Sequence, residues 1–171
     1  PINSANSGTK AWMTNLTSYY SNNADAGLMG PCFDFSTLGS PVLQFFANFS
    51  TENAFDGWVV EASTNGGASW TRLTPYYPAY NYTYGYAPHG GPQYSERTQY
   101  NSWQKYVFLL GAYAGQPSVK IRWRFGSDSS VNGYPGRLVD YQHETVPIEQ
   151  TVQHFRFSHE NGLVQLAILL R

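Results

Sequence analysis

The chain has 171 residues, of which 42% are hydrophobic, 17% aromatic and only 12% charged, with a formal net charge of −1. The charged share is about half that of an ordinary globular domain, and the aromatic share is far from that of a disordered chain. A near-neutral chain lacks the clustered positive field that wrapping nucleic acid requires. No stretch approaches the ~18 unbroken apolar residues of a membrane span. Pro1 opens the sequence without Met or an apolar leader, so we expect a processed product or a piece of something longer. The single cysteine, Cys32, rules out an intrachain disulfide and is expected to be buried as a small apolar side chain. Few Lys beside abundant Tyr, Asn, Ser, Thr and Gly suggests a secreted, cell-surface setting.

Strand signals dominate along the chain, and no long segment has helical periodicity. Short strands are expected over residues 11–16 and 32–35. Residues 42–51 (VLQFFANFST) form a long aromatic run suited to a central strand. Residues 58–63 (WVVEAS) alternate Trp58, Val60 and Ala62 against Val59 and Glu61, and Asn65-Gly66-Gly67 marks a turn. Residues 103–110 (WQKYVFLL) supply another strand. In residues 119–125, Val119, Ile121, Trp123 and Phe125 alternate with Lys120, Arg122 and Arg124, so period two puts the cations on one face. That basic stripe reads as solvated sheet surface, with acidic glycans as the other possibility. Residues 136–140 close the series. Many short strands punctuated by Gly, Pro and Asn predict an all-β antiparallel sandwich.

Residues 76–100 break this rhythm with eight of the fourteen tyrosines and Pro78, Pro88 and Pro92. Aromatics this dense need something to stack on, so the segment is expected to fold across one sheet. Sugar rings offer apolar C–H faces to aromatics, which nominates Tyr80, Tyr82, Tyr84, Tyr86 and Tyr94 as glycan contacts. A self-packed loop or a contact with a cell-surface protein fits the same residues.

Ser63-Thr64-Asn65-Gly66-Gly67-Ala68-Ser69-Trp70 reads S-x-N-x-G-x-x-W, a variant of the Asp-box hairpin with Asn in place of Asp. Its role is local: Asn bonds the turn backbone, Gly takes positive φ and Trp70 covers the hairpin. The box occurs once, without a blade repeat, so a propeller is not expected.

Residues 50–70 (STENAFDGWVVEASTNGGASW) resemble the start of the MAM-like β-sandwich found in immune-inhibitor-A-type metalloproteases and bacterial surface proteins. Pro31-Cys32-Phe33-Asp34-Phe35-Ser36, Trp103, Leu110-Gly111-Ala112-Tyr113-Ala114-Gly115-Gln116, residues 119–125, Gly126-Ser127-Asp128-Ser129-Ser130 and Gly136-Arg137-Leu138-Val139-Asp140 follow that family's order. The resemblance covers about residues 11–140. It implies a jelly-roll, galactose-binding-like sandwich used for extracellular adhesion, glycan contact or support of a larger secreted protein. It departs at Arg137, where the family has an aromatic, and at Tyr141, after which the chain has no counterpart. The resemblance also implies a structural Ca²⁺, held by Glu52, Asp56 and Asp140, with Asp34 and Asp128 in reserve. Turn and strand-end roles for these carboxylates fit equally well.

Residues 141–171 differ in composition. They hold three of the four His but one of the sixteen Gly. Residues 151–158 and 163–170 are strand-like and joined by Glu160-Asn161-Gly162, a strong hairpin signal. The second run is nearly all apolar and must be covered, on residues 1–140 or on a neighbouring copy. Two functions follow as expectations. One is a non-catalytic, calcium-stabilised adhesion or carbohydrate-binding module. The other is a subunit of a self-assembling fibre or surface layer that associates through residues 151–170. Eleven dispersed carboxylates, no nucleophile elbow and no zinc-protease helix motif weigh against an enzyme. Asn15, Asn48 and Asn81 stand in N-x-S/T sequons and are candidate glycosylation sites.

Overall fold

A computed structural model describes residues 11–15, 18–85, 90–95, 103–131, 133–134, 136–140, 152–159 and 162–169. In chain order the strands are β1 (Trp12–Met13), β2 (Asp25–Phe33), β3 (Val42–Ser50), β4 (Gly57–Ser63), β5 (Thr71–Arg72), β6 (Tyr82–Gly85), β7 (Gly91–Gln93), β8 (Gln104–Leu109), β9 (Val119–Gly126), β10 (Gly136–Asp140), β11 (Val152–His159) and β12 (Gly162–Leu169). A single 3-10 turn at Gly111–Tyr113 is the only helical element among the described residues. Two four-stranded antiparallel sheets, β1-β10-β3-β8 and β2-β9-β4-β5, make an all-β sandwich. No helix among the described residues is long and apolar enough to cross a membrane.

Two boundaries differ from expectation for physical reasons. The short strand expected at residues 32–35 is the end of the nine-residue β2. A bulge between Met29 and Cys32 and the helix- and strand-breaking residues Gly27, Gly30 and Pro31 hide its period in the sequence. The first strand shrinks to two residues.

The core follows from period two. Leu43, Phe45, Ala47 and Phe49 of β3 face Trp58, Val60 and Ala62 of β4 and Val119, Ile121, Trp123 and Phe125 of β9, all buried. Phe45 is the keystone. Its ring stacks within its own sheet on Tyr106 and Phe108, at centroid distances of 5.5 and 6.0 Å. Across the gap it meets Trp123 edge-on at 5.4 Å and Trp58 at 6.1 Å. Burying a side chain of this size contributes about 1.5–3 kcal/mol.

The described part of the tyrosine segment is anchored to both sheets. It bridges the sheets along one side. The Tyr77 N–H and the Tyr76 N–H both donate to the Val107 carbonyl, at 3.2 and 2.8 Å, and the Val107 N–H returns a bond to the Tyr77 carbonyl at 2.7 Å. Seventeen residues later, Tyr94 exchanges two 3.0 Å backbone bonds with Trp58 of β4. The reason is that Tyr80 and Tyr94 drop their rings into the core between these anchors. Tyr94 lies 4.4 Å from Trp58, 4.6 Å from Tyr80 and 4.9 Å from Tyr106.

The cations of β9 are all engaged. Arg122 pairs with the buried Glu61 at 2.5 Å and lies 4.3 Å over the Trp70 ring. Arg124 makes two 2.7 Å bonds to Asp25, and the Lys120 ammonium donates to the Gly66 carbonyl at 2.9 Å. The Asn-for-Asp box works as a local clamp. Ser63 Oγ donates to Asn65 Oδ1 at 2.8 Å, the Gly67 N–H donates to Ser63 Oγ, and Ser69 donates its N–H to Asn65. Gly66 and Gly67 take φ values of +74° and +100°. Strands β11 and β12 pair antiparallel with each other, from Val152 opposite Leu169 to His159 opposite Gly162, and join neither main sheet.

Candidate functional site

Gly126 explains why three loops meet. It stands opposite Asp25 at the start of β2 and opposite Gly57 at the start of β4. The segments just outside these residues, 20–24, 51–56 and 127–131, are therefore forced to one end of the sandwich. Glu52 and Asp56 come from the second, Asp128 from the third. One carboxylate oxygen of each lies within 4.8 Å of the others.

Asp56 is the centre of this cluster and is fully buried. Its Oδ2 accepts the Tyr20 hydroxyl at 2.6 Å, and its Oδ1 accepts the Asp128 N–H at 2.8 Å. The Tyr20 oxygen in turn accepts the Glu52 N–H at 3.1 Å. Further backbone bonds tie the loops, from Asn23 N–H to the Asp128 carbonyl at 2.6 Å and from Asp56 N–H to the Glu52 carbonyl at 3.0 Å. Burial pushes the Asp56 carboxyl above the usual range. The bonds from Tyr20 and Asp128 N–H oppose that rise, and the Asp128 charge adds to it. Burial, then donation to Asp56, likewise raises the Tyr20 phenol. Among the described residues no ion pair reaches Asp56 or Asp128.

The backbone is strained at the same place. Among the described residues only Asn23, Ala54 and Val131 combine a side chain with positive φ, at 54°, 76° and 41°. One belongs to each of the three loops. Such conformations cost of order 1–3 kcal/mol each and persist where surrounding structure over-determines them. Ala54 is held by its N–H bond to Ser95 Oγ at 2.8 Å, and Ser95 Oγ donates on to the Glu52 carbonyl at 3.1 Å. Exposed apolar side chains rim the loops: Tyr19, Phe55 and Val131.

The three carboxylates could hold a metal ion. All donors are hard oxygens, which suit Ca²⁺ or Mg²⁺ rather than a thiol-seeking metal. A buried carboxylate whose ionisation is disfavoured gains most from a cation. Glu52 and Asp56 are two of the three residues named from sequence. Asp128, named from sequence as a reserve ligand, joins them, and the side chain of Asp140 lies outside the described residues. Asp140 stands on β10 opposite Phe46, four residues along β3 from Ser50. Asp34 is exposed and engaged locally, accepting the Ser36 N–H at 2.9 Å and the Ser36 hydroxyl, bonds that hold its carboxyl below the usual range. Tyr20 had no sequence signal, because its partner lies thirty-six residues away.

The nominated sugar contacts divide. Tyr94 is 2% exposed and donates its hydroxyl to the Pro78 carbonyl at 2.6 Å, so its ring has no free face. Tyr80 packs against the core and donates to the Leu73 carbonyl at 2.9 Å. Tyr94 is thus a core residue and Tyr80 a half-buried one packed against the core, and burial raises both phenols. Tyr82 is half-buried on β6, Tyr84 lies on the same strand, and Tyr86 lies outside the described residues. Of the sequons, Asn48 is 2% exposed on β3, too buried to accept a glycan. Asn81 is exposed, with its amide donating to the Ser95 carbonyl at 2.5 Å and its oxygen accepting the Ser95 N–H at 2.9 Å. Asn15 caps a local turn through Ser18 N–H and the Tyr19 carbonyl. Cys32 is exposed rather than buried, because the β2 bulge turns it outward beside Ser118 Oγ at 3.1 Å.

No family model matches the chain, and no curated protein matches it.

Proposed function

We propose that the protein is a non-catalytic, extracellular β-sandwich module for adhesion or carbohydrate binding, with a structural Ca²⁺ at the loop rim. One observation carries this reading. Glu52, Asp56 and Asp128 bring their carboxylates together from two loops, with that of Asp56 buried, at the end of the sandwich where Asn23, Ala54 and Val131 take positive φ. A cation there would neutralise the like charges and fix three loops whose exposed Tyr19, Phe55 and Val131 rim the site. The strand order supports a jelly roll, since β1, β2, β3 and β4 alternate between the sheets, as do β8, β9 and β10. The rare Lys and abundant Tyr, Asn, Ser and Thr fit a setting outside the cell.

The test is thermal unfolding with millimolar CaCl₂ and with a chelator, paired with retardation on polysaccharide gels under both conditions. We expect calcium to raise the melting temperature and strengthen retardation. Identical curves in both solutions would remove the cation from the account.

A second reading rests on β11 and β12, which pair with each other and with neither main sheet. We infer from this that the hairpin completes a sheet of a neighbouring copy, building a fibre or layer. Truncation after Asp140 tests it. A shortened chain that assembles like the full one would end this reading.

A further inference from the structure

Outside the acidic rim, the described residues include a further group of exposed apolar side chains. Tyr76, Tyr77 and Leu109 are 69%, 58% and 57% exposed. Tyr76 and Tyr77 are adjacent in the chain, Tyr77 bridges Val107 of β8, and Leu109 follows Val107 by two residues on the same strand face. The two rings are unlike Tyr80 and Tyr94 of the same segment, which pack against the core.

We propose that Tyr76 and Tyr77, flanked by Leu109, form a stacking platform for a neutral polysaccharide chain. The inference rests on the carbohydrate-binding reading above and adds the contact residues and the ligand class.

Three observations select this occupant. The first is preorganisation. Pro75 and Pro78 bracket the pair, and both backbone N–H groups are bonded to Val107. Proline fixes its own φ and restricts the residue before it, so little backbone entropy remains to be lost on binding. The second is that an added protein strand is blocked. The Val107 N–H and carbonyl, which such a strand would need at mid-β8, are already bonded to Tyr77 and Tyr76. The third is size and charge. Three side chains of this kind offer roughly 500 Å² at most, below the ~800 Å² per partner of a stable protein interface. That area matches two or three sugar rings, whose C–H faces stack on phenol rings while the phenol hydroxyls meet sugar hydroxyls. The β9 cations that an acidic glycan would seek are held by Glu61, Asp25 and the Gly66 carbonyl.

The experiment is affinity electrophoresis of the full chain in gels containing xyloglucan, galactomannan or mixed-linkage β-glucan, with alginate as the acidic control. Wild type is expected to be retarded by at least one neutral polymer. Y76A/Y77A should bind about tenfold more weakly or worse, and Y76F/Y77F should stay within about threefold of wild type, because the stacking faces remain. Both variants should melt with wild type, since the side chains removed are exposed. Undiminished binding by Y76A/Y77A overturns the platform and leaves the carbohydrate-binding reading standing. No retardation by any of the three neutral polymers overturns both. Retardation by alginate alone, or a wild-type dimer that Y76A/Y77A abolishes in sedimentation, also overturns the platform, the latter by making the patch a self-contact.

Discussion

The Tyr20 hydroxyl donates to Asp56 Oδ2 at 2.6 Å, joining the segment before β2 to the loop before β4 across thirty-six residues. The bond does two things at once. It satisfies a buried carboxylate, and it anchors a loop that otherwise has no core strand of its own until Asp25. Phe125, at the end of β9, packs edge-on against the same Tyr20 ring at 4.9 Å, so polar and apolar contacts hold one side chain from two sides. Removing the hydroxyl with Tyr20→Phe leaves the ring contact and strips one donor from Asp56. A hydrogen bond to a charged group contributes about 1.5–3 kcal/mol, and urea unfolding of the variant should show a loss in that range. A loss under about 0.5 kcal/mol would mean that water reaches Asp56 and replaces the phenol.

The pH dependence of the metal-free protein follows from the sign of the Asp56 shift. Burial raises its folded carboxyl above the unfolded value, so the folded state binds the proton more tightly. The stabilisation from that proton is complete below the ordinary carboxylate range, about pH 4, and is lost as pH rises through the raised value. In chelator, wild type should therefore lose stability over a window starting near pH 4. Asp56→Asn, which carries no charge at any pH, should show a flatter profile over the same window. Melting curves of both proteins between pH 3.5 and 7.5 compare them, and parallel profiles would contradict the burial argument.

Cation dependence should reside in the same three carboxylates. A ligand that binds only the folded state stabilises by about 2.7 kcal/mol at a hundred times its dissociation constant. For a chain of this size, each kcal/mol moves the midpoint by roughly 2–4 °C. Calcium should thus raise the melting temperature by several degrees, and Glu52→Gln or Asp128→Asn should abolish most of that rise. Asp34→Asn should leave it intact, since Asp34 is occupied by Ser36. An undiminished calcium effect in Asp128→Asn would move the site elsewhere.

What the sequence made legible depended on range. The strand at Val119–Gly126 could be read directly, because its core and solvent faces alternate without interruption. Glu52 and Asp56 were named only through the family resemblance of residues 50–70, which places them on either side of the β3–β4 turn. Asp128 could only be held in reserve. It joins them because Gly126 sits opposite both Asp25 and Gly57, and a register between strands sixty-nine residues apart leaves no local trace. The tyrosine segment misled for a related reason. Its composition is the same whether a ring is buried like Tyr94 or exposed like Tyr77, and only the anchors at Val107 and Trp58 decide which. Cys32 was misjudged because the bulge that turns it outward has no sequence period.

Gly57 tests the second anchor. A Cβ at this position would lie 2.5 Å from the Tyr94 carbonyl oxygen and 2.7 Å from Gln93 Cδ. Backbone cannot swing away as a flexible side chain can, so Gly57→Ala must push Tyr94 off β4. Overpacking of this kind costs about 1–3 kcal/mol. The expected signature is local as well as global: faster amide exchange at Trp58 and Tyr94, whose N–H groups bond across the bridge, with Val60 and Ile121 unchanged. Uniform destabilisation without that local loss would show that the segment is not held at this point.

The Arg122–Glu61 pair offers a last test, of the outer face of the sandwich. Glu61 is 6% exposed, and Arg122 bonds its Oε2 at 2.5 Å while lying over the Trp70 ring. Arg122→Met removes the cation but keeps an unbranched stem, and so leaves a buried carboxylate without its partner. Breaking a buried pair in this way costs about 3–5 kcal/mol, and the partial exposure of Arg122 favours the lower end. Glu61→Gln should cost less, because the amide oxygen still accepts from the guanidinium. Replacing both residues, as Arg122→Met with Glu61→Leu, should recover much of the loss, since the desolvation penalty disappears with the charge. Denaturant unfolding of the two single variants and the double variant closes the cycle. Additive losses would mean that Glu61 is hydrated from outside and that Arg122 stabilises the fold mainly by covering Trp70.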